Sequence, residues 1–299
     1  MKGIKSMLSI DKLTLCYIAN DELIDKLDNY DEIDDTDDCF RLKRIPSEDT
    51  LYMNGFNLMI KYPEKDAEGT TWRKFGTLRT KNRSVKNNSY VWIYFENWVF
   101  YETFITNSEK HSWFCLTDYV IDELELTFNN ITELHICFDS NINFAKRVKK
   151  AQFNDDYEVI LNGKCRFDKE EILKEILYLQ TGNQKRMKTI SAYIHPQVKD
   201  GLSLRIYDKS EELKKSNKSY IKTWIDMDNN IHRVEVTTKN EHIKEYYKEK
   251  SPEMKDETLI RLFASQQESQ PILAEMIEYF ANRLLRFRYK GNPISIFQI

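Results

Sequence analysis

Apolar and polar positions alternate with a period of two along several stretches of this chain, and helical spacing fills the stretches between. Period two predicts strands, because successive strand side chains point to opposite faces. Residues 10–20 open the series. The runs 51–62, 72–80 and 90–104, rich in Tyr, Phe, Trp, Ile and Val, predict antiparallel strands. Further strands are predicted at ITELHICFD (131–139), KTISAYIHP (188–196), GLSLRIYDK (201–209) and HRVEVTTK (232–239). Asn162-Gly163 inside YEVILNGKCRF (157–167) is a hairpin turn signal. Helices are predicted over 117–127 with Thr117 as cap, and over 143–151, 168–180, 210–225 and 240–249. Two more follow Ser251-Pro252-Glu253, split by Pro271, the second ending near Lys290-Gly291. The acidic stretch 21–38 reads as a helix start and then a loop. This is an α+β pattern: a central, largely antiparallel sheet with flanking helices over 1–248, its catalytic half about 128–248, and a small C-terminal helical segment over 249–299. No period of 20–50 residues points to a solenoid or propeller.

Composition narrows the classes. Only 8 Gly and 6 Pro occur in 299 residues, and no GxGxxG follows a strand, which argues against a Gly-rich Rossmann or P-loop enzyme. With 41% hydrophobic and 31% charged residues the chain is globular rather than disordered. No apolar run reaches the ~18 residues of a membrane helix, and the start, MKGIKSMLSIDKLTL, has no apolar core of a cleavable signal. Five scattered cysteines (Cys16, Cys39, Cys115, Cys137, Cys165) form no CxxC. They point to buried thiols in a reducing, cytoplasmic setting rather than to disulfides or zinc. The net charge of −3 hides a division: residues 21–50 hold twelve carboxylates against four cations, a net of −8, which leaves +5 on the rest.

Three strands bring polar residues to one face. In LHICFD the residues His135, Cys137 and Asp139 oppose Leu134, Ile136 and Phe138; in LRIYDK, Arg205 and Tyr207 oppose Leu204 and Ile206; in HRVEV, Arg233 and Glu235 oppose Val234 and Val236. Singly, each has a plain structural use: a turn aspartate, a packing tyrosine, a surface Arg-Glu pair, a core histidine. Together they can hold a divalent metal on carboxylates and an imidazole, or present a tyrosine to a phosphate with arginines nearby. The segment 72–86 carries Arg73, Lys74, Arg79, Lys81, Arg83 and Lys86 with Trp72 and Phe75 interleaved, a composition suited to phosphates and stacked unpaired bases. Further basic clusters are Lys146, Arg147, Lys149, Lys150; Lys185, Arg186, Lys188; and Arg283, Arg286, Arg288, Lys290.

The run SLRIYDKSEELKKSNKSYIKTW followed by HRVEV resembles the rolling-circle plasmid replication initiators of the Rep_trans type, a group that includes related proteins of Bacteroides plasmids and mobile elements. Their pattern is a strand ending R-I-Y-D/N-K, a charged helix, and a strand reading R-x-E. An upstream strand of the type I-T-R-x-D-x-x-x-D aligns with ITELHICFD, with Glu133 where Arg is usual and His135 where the first Asp is usual. The match spans about 131–243. The resemblance implies a nuclease core like that of the HUH enzymes but without their histidine pair, since His111, His135, His195, His232 and His242 are each isolated. It implies Tyr207 as nicking nucleophile, Asp139 and Glu235 with His135 as ligands of Mg²⁺ or Mn²⁺, and Arg205, Lys209 and Arg233 as phosphate contacts. It implies origin DNA as partner, both the double-stranded origin and its single-stranded hairpin region, with a host helicase and a homodimer beyond that. Tyr207, Asp139 and Glu235 are then expected on adjacent strands within about 10 Å. Segment 72–86 and the helix carrying Arg147, Lys149 and Lys150 are expected to flank the same groove as Tyr207, with residues 21–38 elsewhere. Two rivals stand beside nicking: a non-catalytic DNA-binding regulator on the same fold, and a metal-dependent phosphodiesterase acting through activated water.

Overall fold

The computed structural model describes residues 6–35, 37, 39–46, 53–63, 70–81, 89–101, 113–181, 188–194, 201–215 and 231–299. In chain order the elements are β1 (Ser6–Ile18), α1 (Asp21–Asn29), β2 (Glu32–Asp34), β3 (Phe40–Arg44), β4 (Met53–Pro63), β5 (Thr70–Lys81), β6 (Tyr90–Phe95), α2 (Trp113–Glu123), β7 (Thr127–Ser140), α3 (Phe144–Gln152), β8 (Tyr157–Leu161), β9 (Lys164–Arg166), α4 (Lys169–Glu175), β10 (Ile176–Thr181), β11 (Lys188–Ile194), β12 (Ser203–Asp208), α5 (Lys209–Lys215), β13 (His232–Lys239), α6 (Asn240–Lys250), α7 (Asp256–Leu262), α8 (Gln266–Leu284), β14 (Leu285–Tyr289) and β15 (Asn292–Ile294). The class is α+β with extensive antiparallel sheet flanked by helices, as the alternation predicts.

The chain folds into two compact units, neither a continuous stretch. The first comprises Met1–Asp11, His135–Glu253 and Gln267–Ile299; the second comprises Lys12–Leu134 and Met254–Gln266. Residues 249–299, expected as a separate helical segment, are thus shared between both. In the first unit the strands run in the order β10-β11-β12-β13-β7, with antiparallel pairing from β10 through β13. Leu204, Ile206, Val234 and Val236 form its apolar face. Helix α3 packs there through Phe144, whose ring meets Phe138, and through Gln152, which accepts a hydrogen bond from Tyr178. A smaller sheet, β15-β14-β8-β9, completes the unit. Both of its hairpins turn on residues in the left-handed region, Asn162-Gly163 and Lys290-Gly291, as two-residue hairpin turns require. In the second unit β6-β5-β4-β3-β2 pair antiparallel throughout, with β1 beside β6. Phe56, Leu58, Leu78, Ile93 and Phe95 form a core under α2, whose Trp113 packs on Phe95 and whose Tyr119 packs on Phe40.

Several expected boundaries differ, each for a physical reason. The helix predicted over 168–180 stops at Glu175, because Ile176–Thr181 pairs with β11; tertiary pairing overrides helical spacing. Thr117 is not a cap: its hydroxyl donates to the Trp113 carbonyl from inside α2. The strand predicted over 90–104 ends at Phe95. Pro271 does not divide two helices but is the sixth residue of α8, where it removes one hydrogen bond near the helix start; the division falls at 263–265. The last helix ends at Leu284, and RFRY alternates into β14 instead.

Candidate functional site

The β12–β13 register sets Tyr207 opposite Arg233 and Arg205 opposite Glu235, while Ile206 meets Val234 and Leu204 meets Val236. One face is therefore apolar and core-forming, and the other carries all four polar side chains. β7 lies beside β13 and adds His135, Cys137 and Asp139 to that polar face.

Arg233 is the hub. Its Nε and Nη2 donate to Oδ1 and Oδ2 of Asp139, each at 2.7 Å, and its Nη1 donates to Oδ1 of Asp11 at 2.5 Å. The guanidinium is 0% exposed. Beside it the Tyr207 hydroxyl donates to Glu235 Oε2 at 2.8 Å, and the other carboxylate oxygen lies 3.4 Å from His135 Nδ1. Thr237 Oγ1 is 3.5 Å from the same imidazole nitrogen. Burial pushes the Tyr207 phenol well above its ordinary range; Arg233 opposes this, and Glu235, Cys137 and Asp11 add to it. Burial also works to raise Glu235, but the hydrogen bond from His135 and the charges of Arg233 and His135 outweigh it against Asp11, so its carboxyl lies below the ordinary value. Burial holds the Cys137 thiol well up despite Arg233. The site thus pairs a protonated phenol with an ionised carboxylate that accepts its hydrogen bond and orients it.

Asp11, Cys137 and Glu235 each offer a ligand atom within 4.8 Å of the others. Asp11 and Asp139 pair with the Arg233 guanidinium, and Glu235 adds a third carboxylate whose charge a divalent cation would offset. The two carboxylates of the cluster suit Mg²⁺ or Mn²⁺, and the thiol adds a softer donor. This set differs from the expected Asp139, Glu235 and His135: both oxygens of Asp139 are engaged by Arg233, and His135 contacts Glu235. Asp11 was not singled out in the sequence, although a carboxylate between Ile10 and Leu13, both fully buried, is an unusual strand position.

The expected phosphate contacts separate. Arg205 is exposed on the polar face. Arg233, buried and engaged by carboxylates, faces no solvent. Lys209, 1% exposed, is ion-paired with Glu212 and lies 5.7 Å over the Tyr207 ring. Arg147, Lys149 and Lys150 belong to α3, which packs on the face opposite Tyr207, so they do not border the tyrosine. Lys146, Lys149 and Lys150 there line an open depression of about 670 Å³ with Phe153. Trp72, Lys74, Arg79 and Lys81 share one face of β5, whereas Arg73 faces the core side and stacks 3.4 Å from the Trp98 ring centroid. Phe75 is fully buried. Arg83 and Lys86, with Lys185 and Arg186, lie outside the described residues. The acidic stretch does not lie apart from the basic one. β2 is the edge strand of the same sheet as β5, and Arg41 bridges to Asp34 at 3.2 Å and Glu32 at 3.6 Å.

Among the described residues no helix is long and apolar enough to cross a membrane. No protein-family model matches the chain, and no curated protein matches its sequence. Among solved structures, the chain is similar to the rolling circle replication initiator protein from Geobacillus stearothermophilus, with a TM-score of 0.47 and 12% identity over 96% of this chain and 88% of that one.

Proposed function

We propose that the chain is a replication initiator that nicks one strand of origin DNA through Tyr207 and so starts rolling-circle replication. The observation that carries this reading is the Tyr207 hydroxyl donating at 2.8 Å to Glu235, a carboxylate of the Asp11–Cys137–Glu235 cluster. In the reaction the Tyr207 oxygen bonds to the scissile phosphorus and the bond to the 3′ oxygen breaks. The phosphate stays on the tyrosine as a 5′-phosphotyrosine, and the phenolic proton passes through solvent to the departing 3′ oxygen, giving the free 3′-OH that primes synthesis. Asp11, Glu235 and Cys137 would hold a divalent ion, Mg²⁺ or Mn²⁺, which when bound polarises the scissile phosphate. Arg233 fixes Asp139 and Asp11 in place, and exposed Arg205 is the cation available to the phosphate. Origin DNA, duplex and single-stranded, is the partner in this reading.

A second reading has one observation in its favour. Burial keeps the Tyr207 phenol protonated, which suits a structural tyrosine beside a metal-activated water. One experiment separates the two: incubation with labelled single-stranded origin oligonucleotide and Mn²⁺, followed by denaturing electrophoresis. A covalent protein–DNA band is expected. Cleaved product without that band makes the activated-water reading the better account, and neither product nor adduct leaves a DNA-binding regulator.

A further inference from the structure

The second unit carries an open sheet face that the active site does not use. In β4 the even positions Phe56, Leu58 and Ile60 are buried in the core, so the odd positions face the other way. Register carries that second face across the sheet: Lys61 opposite Trp72, Gly55 opposite Arg79, Arg79 opposite Trp92, and Thr77 opposite Tyr94. Trp72, Trp92 and Tyr94 are half-buried there. Helix α2 packs on the opposite side, over Phe40 and Phe95.

Cations interleave with these rings. The Arg41 guanidinium lies 3.9 Å from the Trp72 ring centroid, Arg79 4.9 Å from Tyr94, and Lys81 5.8 Å from Trp92. Among the described residues, this face of β4–β6 carries cations and no carboxylate; Glu96, just past β6, pairs with Lys74 at 3.1 Å, and where the face continues onto β3 and β2 Arg41 is paired with Asp34 and Glu32. An edge of cations alone would suit any polyanion. The half-buried rings between the cations add surfaces on which bases stack, and only unpaired bases offer their faces.

We infer that this face of β4, β5 and β6, built on Trp72, Trp92, Tyr94, Arg79 and Lys81, is a binding platform for single-stranded DNA. Phosphates sit against Arg79 and Lys81, and bases stack on the rings. The inference deepens the proposed function and rests on its DNA-binding half, not on the nicking chemistry.

The test uses the full chain carrying Tyr207→Phe, so that cleavage does not complicate binding. A fluorescein-labelled oligothymidylate of about sixteen nucleotides is titrated and followed by anisotropy. Matched probes are an abasic strand of equal length, the duplex, and oligouridylate. The thymidylate should bind more tightly than all three. Trp92→Ala should weaken it about 5- to 150-fold, the loss of one stacked base, and Trp92→Phe by less. Arg79→Met should flatten the salt dependence by about 0.7 in slope. If Trp92→Ala fails to fold by circular dichroism, Trp92→Phe and Arg79→Met carry the test. The inference is overturned if the abasic strand binds as well as the thymidylate, if duplex or RNA binds as tightly, or if the folded variants bind like the parent. Failure of nicking is a separate result: a chain that forms no adduct yet loses thymidylate at Trp92→Ala keeps the platform and loses the nickase.

Discussion

The polar face of β7, β12 and β13 and the polar face of β4, β5 and β6 are written in the same alternation, yet the charged cluster of one is buried and the other face is open. On the first, opposite charges sit where register brings them together: Arg233 meets Asp139 and Asp11, and the guanidinium is fully buried. On the second, cations alternate with rings, stack on them and stay at the surface. The period of two states which residues share a face. The sign of the partners decides whether that face can be desolvated, because a buried charge persists only when paired and hydrogen-bonded. A buried, ion-paired cluster holds its groups in fixed positions, whereas an open cation–aromatic face leaves room for a flexible strand.

The largest expected effect breaks the buried cluster at the oxygen proposed as nucleophile. Tyr207→Phe removes one oxygen and keeps the packing volume, so nicking and adduct should fall by at least about 10³-fold with binding nearly unchanged. Gel assay of cleavage and anisotropy of binding check both halves, and parental nicking by the Phe variant removes Tyr207 as nucleophile. Tyr220, the next candidate, lies outside the described residues. Glu235→Gln should also abolish cleavage, but through lost ion affinity, so raising Mn²⁺ should restore part of it; no Mn²⁺ concentration should rescue the Phe variant.

Next in size is the hub. Arg233→Met leaves Asp139 buried without its bidentate partner and should cost about 3–5 kcal/mol, read from the urea midpoint. Arg79→Met, the matching change on the open face, should cost less than about 0.5 kcal/mol. Equal losses would erase the distinction between the two faces.

How far the sequence anticipates this architecture follows the same line. Tyr207 beside Glu235 was legible, because R-I-Y and R-x-E on consecutive strands pair as their alternation dictates. Asp11 was not, because it reaches Arg233 from a strand distant in the chain, and no local pattern carries that contact. Nor was the sealing of Arg233, for the same reason. Ile172 and Ile176 continue a helical spacing across a junction where hydrogen bonding changes from α4 to β10. The RFRY of β14 follows a long helix without a breaker until Gly291. Local periodicity names elements well where they are amphipathic; it misses the boundary where two elements meet without punctuation and the contact made by a single distant side chain.

The smallest expected effect concerns Glu133, which stands where the resembling initiators carry Arg. Its carboxylate pairs with Lys12 at 3.1 Å on the second unit, both side chains partly exposed. A pair so placed is worth about 0.2–1 kcal/mol. Glu133→Arg sets two cations against each other and should destabilise by a similar amount, since like charges between facing strands repel. The charge swap, Lys12→Glu with Glu133→Arg, should recover most of that loss, and a double-mutant cycle from urea midpoints isolates the pair. If Glu133→Arg alone is neutral or stabilising, the pair contributes nothing and Glu133 needs another explanation. If the swap restores stability and nicking stays at the parental rate, the departure from the initiators' pattern at this position is a local charge exchange on the second unit rather than a change in the chemistry around Tyr207.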